Sequence, residues 1–219
     1  MKQRKVELDF AEQARQEEKA PRGWPAALLL FHLGMWRERF RNALNDASQG
    51  KPHASPPGDV DELNDAELPH GIGTPLADAA SRADVLLGEV IDLYTAMGHR
   101  HFEWYAATDT SEAVLRNSYT HPRVHIAEYW TENGHLDRAA HLWTDAMADL
   151  QAADVSPRFL ALARYNLACV KTRQGELDEA MDLLEQALPA SDILRAAAPK
   201  DDDLEPLRER PRFQELTQS

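Results

Sequence analysis

The chain has 219 residues, with 24 Lys and Arg against 37 Asp and Glu, a formal net charge of −13. This length can bury a real core, as one large domain or two small ones, and a 43% hydrophobic content places it in the globular class. The acidity argues against wrapping nucleic acid, whose phosphates need a basic surface, and against docking on anionic membranes.

The longest apolar run, Pro25 to Phe31, is far shorter than the ~20 residues that span a bilayer. Residues 1–18 are charged throughout and show no signal-peptide core. Cys169 is the single cysteine, so no internal disulfide is expected and a reduced, cytoplasmic location follows as the default. Any metal must then rely on His and carboxylate ligands.

In chain order, the pattern reads as helix throughout, with dense Ala and Leu and no stretch of period-two alternation. A first helix is expected from about Lys2 to Lys19, ended by Ala20-Pro21. Trp24-Pro25 opens a second, with proline in the tolerated first turn, running to about Ala47. Ser48 to Thr74, rich in Gly, Pro and Asp, is expected as a long connection. Pro75 starts a third helix that ends at Gly98, and His99 to Asp109 reads as an aromatic loop. A fourth helix begins at Thr110 or Ser111 as N-cap and runs to about Glu132, interrupted by Pro122. Four helices with one long crossover make a four-helix bundle.

The remainder carries an internal repeat. Glu132-Asn133-Gly134-His135-Leu136-Asp137-Arg138-Ala139-Ala140 matches Arg173-Gln174-Gly175-Glu176-Leu177-Asp178-Glu179-Ala180-Met181. Ile126-Ala127 and Leu167-Ala168 precede the two glycines at equal distances, and Ala146 and Ala187 follow them at equal distances. Such a unit is a helical hairpin, with glycine for the turn and alanines for close approach of two helices. The acidity is uneven: residues 45–112 carry a net −10 and residues 174–209 a net −8.

His32 falls inside the apolar arc of the second helix, and so does Arg39, while Gly34, Arg37, Glu38, Arg41 and Asn45 make its polar side. A core histidine with a hydrogen-bond partner explains His32 taken alone. The fourth helix holds His121-Pro122-Arg123-Val124-His125, two imidazoles four residues apart on one face, a spacing by which one helix chelates a metal. Three neutral imidazoles leave a coordination position open, as catalytic sites do. Glu128 is either a carboxylate behind His125, an added ligand or a solvated helix residue. Trp36, Trp104, Tyr105 and Tyr129 either wall a pocket at the His cluster or are plain core.

Trp24-Pro25-Ala26 through His32-Leu33, and Asn117-Ser118-Tyr119-Thr120-His121-Pro122-Arg123-Val124-His125, resemble the two ligand segments of the DinB-like family. The resemblance covers about residues 5–132 and departs from the family pattern at Pro122. It implies a four-helix bundle over 1–132, and a divalent transition metal, zinc or nickel first, held by His32, His121 and His125. Tyr165-Asn166-Leu167-Ala168-Cys169 through Gly175, Ala180 and Ala187-Leu188 resembles a tetratricopeptide repeat, and Asp202 to Phe213 resembles the segment that closes such arrays. The expected fold class is therefore all-α: a DinB-like bundle sharing its fourth helix with about two helical hairpins and a capping segment over 121–219.

Two functions of different classes follow. In the first, the three histidines hold a metal, Arg39 pairs with an anionic small-molecule or thiol substrate, and the relatives imply thiol- or water-dependent isomerisation, transfer or hydrolysis. In the second, the bundle is vestigial and the repeats form a non-catalytic adaptor, whose acidic block at 174–209 prefers a basic protein partner.

Overall fold

The computed structural model describes residues 2–218. The fold is all-α apart from one two-stranded hairpin. No helix among the described residues is long and apolar enough to cross a membrane. The chain divides into two compact units, Met1–Tyr129 and Trp130–Ser219.

Unit 1 opens with α1 (Lys2–Glu17) and α2 (Ala26–Ser48). No side chain caps α2 from within. Glu18, beyond the end of α1, accepts from the Ala26 N–H at 2.8 Å and from the Tyr129 hydroxyl at 3.0 Å. One carboxylate thus fixes where α2 starts and ties it to Tyr129, 111 positions beyond Glu18. The helix α4 (Leu76–Met97) packs along α2, and Gly98, at φ 66°, accepts the turn that ends it.

Three expectations are corrected in this unit. The connection 48–74 is not structureless: Asp59 caps a short helix α3 (Val60–Glu67), accepting from the Asp61 N–H at 2.7 Å, and a 3₁₀ turn follows at Leu68–Gly71. Gly71 approaches Phe31 of α2 so closely that a Cβ there would sit 2.4 Å from the ring. The aromatic loop is an antiparallel hairpin, β1 (His101–Trp104) with β2 (Ala107–Asp109). Phe102 and Trp104 point inward and His101 and Glu103 outward, a period-two pattern of only four residues. Those two rings join Phe40, Leu44, Val90 and Ala113 in one core cluster. Arg37 is not on a solvated face: it is 1% exposed, and a two-pronged ion pair ties it to Glu7 of α1.

The fourth helical segment also differs in detail. Asp109, not Thr110 or Ser111, is the N-cap of α5 (Thr110–Leu115), accepting from the Glu112 N–H at 2.9 Å. A π-turn over Arg116–Thr120 then leads into α6 (His121–Glu132), so the chain stays helical through Pro122. Proline cannot donate to the carbonyl four residues back. The wider turn meets this constraint, with the His121 N–H bonded to Arg116 O and the Thr120 hydroxyl 3.2 Å from both Leu115 O and Arg116 O.

In unit 2, α7 (Leu136–Ala152), α8 (Pro157–Gln174) and α9 (Leu177–Ala187) pack in sequence as helical hairpins. The repeat is visible in its caps. Gly134 and Gly175 have φ of 82° and 81°. Gly134 N–H bonds Thr131 O and His135 N–H bonds Trp130 O; Gly175 N–H bonds Thr172 O and Glu176 N–H bonds Lys171 O. Both are the same left-handed helix stop. The equivalent alanines, Ala139 with Ala180 and Ala146 with Ala187, are all fully buried. After α10 (Asp192–Ala197), the terminal segment ends in α11 (Pro211–Gln218) and buries Leu204, Leu207 and Phe213. Cys169 is buried with its sulfur 3.8 Å from an Asp201 carboxylate oxygen, and burial, then that charge, pushes the thiol well above its usual range. It stays a neutral thiol at neutral pH.

Candidate metal centre

His32 reaches the site from the middle of α2, and His121 and His125 from successive turns of α6. The Nε2 atom of His121 lies 3.1 Å from that of His32 and 3.0 Å from that of His125. One nitrogen from each ring lies within 4.8 Å of the others. Metal–imidazole bonds of 2.0–2.1 Å put neighbouring nitrogens roughly 3.0–3.4 Å apart, so both short spacings match a common ion. Hydrogen bonding alone satisfies the trio poorly. An imidazole nitrogen has either one N–H or one in-plane lone pair, and the His121 Nε2 faces two partners.

The surroundings hold His32 and His121 neutral. Burial, then the charges of His125 and Arg39, lowers His32 to about 3. Burial, then His125, His32 and Arg37, depresses His121 well below its usual range. A neutral imidazole is the form that ligates. The rings are also oriented. His121 hydrogen-bonds the Asn117 backbone, and His125 Nδ1 lies 3.3 Å from Glu128 Oε2, which places the Glu128 carboxylate behind His125. Trp24 stacks on His125 at 5.7 Å and meets His32 edge-on at 5.1 Å.

A cavity of about 400 Å³ opens beside the trio. Trp36, Trp104 and Tyr105 wall it, together with Asn64 of α3 and Arg116 and Asn117 of the π-turn. The connection and the aromatic segment thus form its mouth, and Ser55 joins them by accepting from the Tyr105 N–H at 2.5 Å. Tyr105 holds this position with φ 50°, a backbone region that side chains other than glycine seldom adopt. Tyr129 bonds Glu18 and is not part of the wall.

Arg39 does not line the cavity. Its guanidinium is ion-paired with Glu67 and lies 5.2 Å from the Trp36 ring centre. Arg116 does line it, and sequence reasoning missed this residue. In an ordinary α-helix, positions 116 and 121 diverge. In a π-turn, residues five apart line up, which brings Arg116 toward the face of His121. Pro122 was the one local sign of that irregularity. Comparisons with protein-family models, curated proteins and solved structures found no match for this chain.

Proposed function

We propose that the chain is a DinB-like metal protein in which His32, His121 and His125 hold a divalent transition metal beside a small-molecule pocket, and that it catalyses a thiol- or water-dependent transfer, isomerisation or hydrolysis. The observation that carries this reading is the convergence of three imidazoles, two Nε2 spacings being 3.0 and 3.1 Å. Imidazole donors suit zinc, nickel, copper and iron, and zinc and nickel are the first ions to test. When bound, such an ion supplies Lewis acidity to a substrate oxygen or lowers the pKa of a water or thiol. Glu128 keeps the His125 lone pair turned inward, and the buried Trp36 and Trp104 keep bulk water from one side of the pocket.

The test is metal content. Untagged protein, loaded with zinc or nickel and dialysed, is assayed by elemental analysis. One ion per chain is expected for the wild type and none for the variant carrying His121→Ala and His125→Ala. Substoichiometric metal in the wild type after every divalent addition refutes the reading.

A further inference from the structure

We infer that the cavity receives a monocarboxylate on a flat, unsaturated body, and that Arg116 is the residue that binds its carboxylate. The inference rests on the metal-centre reading for taking this cavity as the substrate site.

Charge singles out Arg116. Elsewhere in unit 1, Arg4 pairs with Asp84, Arg37 with Glu7, Arg39 with Glu67, Arg41 with Glu89 and Arg82 with Glu38. The Arg116 guanidinium makes no ion pair, hydrogen bond or ring contact among the described residues, although the chain has 37 acidic side chains against 24 basic ones. It stands half-buried on the cavity wall, on an irregular turn that carries it toward the His121 face. A guanidinium there is a fork of donors matched to the two oxygens of a carboxylate.

The rest of the wall defines the body of the ligand. The Tyr105 ring stands 6.1 Å from Trp36 and 5.6 Å from Trp104, steeply inclined to both, so the wall is aromatic and suits a flat, unsaturated guest packed against it. About 400 Å³ suits a small aromatic or conjugated acid. Asp61, exposed on the first turn of α3, is the carboxylate in the lining, and it disfavours a second negative group at the mouth.

Benzoate and trans-cinnamate, each against its neutral amide, are titrated calorimetrically into the wild type, Arg116→Gln and Arg116→Lys. Each protein is used zinc-loaded and chelator-stripped, with thermal unfolding confirming that the variants are folded. Losing a charged hydrogen bond of this kind lowers affinity about tenfold or more. The carboxylates should bind the stripped wild type, Arg116→Gln should weaken them at least about tenfold with the amides unchanged, and Arg116→Lys should fall between. Equal affinity in wild type and Arg116→Gln overturns the inference, as does the absence of binding by both acids. Arg116-dependent binding in stripped protein that takes up no metal sinks only the metal reading.

Discussion

Removing the Glu7 carboxylate tests the packing that positions α2. Arg37 is 1% exposed, and its guanidinium reaches Glu7 Oε2 at 2.6 Å and Oε1 at 2.5 Å, with Ala83 O at 3.1 Å as its other acceptor. Glu7→Ala leaves that cation in the core with one neutral acceptor. Breaking a buried pair from one side costs about 3–5 kcal/mol, because the remaining charge is neither solvated nor paired. Against a total stability of about 5–15 kcal/mol this is large. At a urea slope of about 2 kcal/mol/M it lowers the unfolding midpoint by about 1.5–2.5 M. The double replacement Glu7→Leu with Arg37→Met removes both charges and should recover most of the loss. The Arg37 charge is already one cause of the depressed His121 basicity, so Glu7→Ala should also weaken metal binding. Urea denaturation by tryptophan fluorescence on wild type, Glu7→Ala and the double variant reads both differences. A Glu7→Ala cost below about 1 kcal/mol, or a double variant no better than the single, refutes the reasoning.

Two further predictions follow from the geometry. His32 takes a proton at about 3 in the folded protein and at 6.5 when unexposed surroundings are lost. Above 6.5 neither state is charged and the group contributes nothing to the pH dependence. As pH falls from 6.5 toward 3 the unfolded state alone gains the proton, so metal-free protein loses stability at up to about 1.4 kcal/mol per pH unit for this ring. His32→Gln should flatten that slope in chelator, and an unchanged slope argues against a buried neutral imidazole. In unit 2, Gly175→Ala forces a side chain into φ 81° at the helix stop, costing about 1–2 kcal/mol in a thermal melt. Ala at Gly134, φ 82°, should cost the same if the two turns are one repeated device.

Much of the fold is written in punctuation. Pro25, Pro75 and Gly98 bound the helices where local sterics say they must, because a missing donor or a positive φ acts without help from the rest of the chain, whereas α1 ends at Glu17, ahead of the Ala20-Pro21 stop. The repeat glycines and buried alanines are equally local. HxxxH is legible as a helix-face spacing and His32 as a break in an apolar arc, but it is the resemblance to the DinB-like family that joins the three into one site. What stayed hidden depends on partners distant in sequence. Arg37 looks solvated until Glu7, thirty residues earlier, is brought against it. The hairpin is too short to show a period, and its strands exist because Phe102 and Trp104 bury against Phe40. Arg116 joins the site only through the π-turn.

The net charge of −13 takes on a different meaning once the pairs are known. The acidic block 174–209 is answered from outside its own span. Lys171 meets Glu176 and Glu179, Arg173 meets Asp203, Arg210 meets Asp178, and Arg212 meets Asp182 and Glu185. Exposed pairs like these add little stability one by one, but they blunt the field that a basic partner would seek. Six of the block's eleven carboxylates are turned toward cations outside its span, and Asp192 and Asp202 meet Arg195 and Arg208 within it, so the raw count overstates its attraction. The same accounting runs the other way in unit 1. Residues 45–112 carry a net −10, yet Arg116, four residues past that segment, finds none of those carboxylates. A guanidinium left unpaired amid so much acid, at the wall of a cavity lined by three imidazoles, is better explained by a ligand than by the fold.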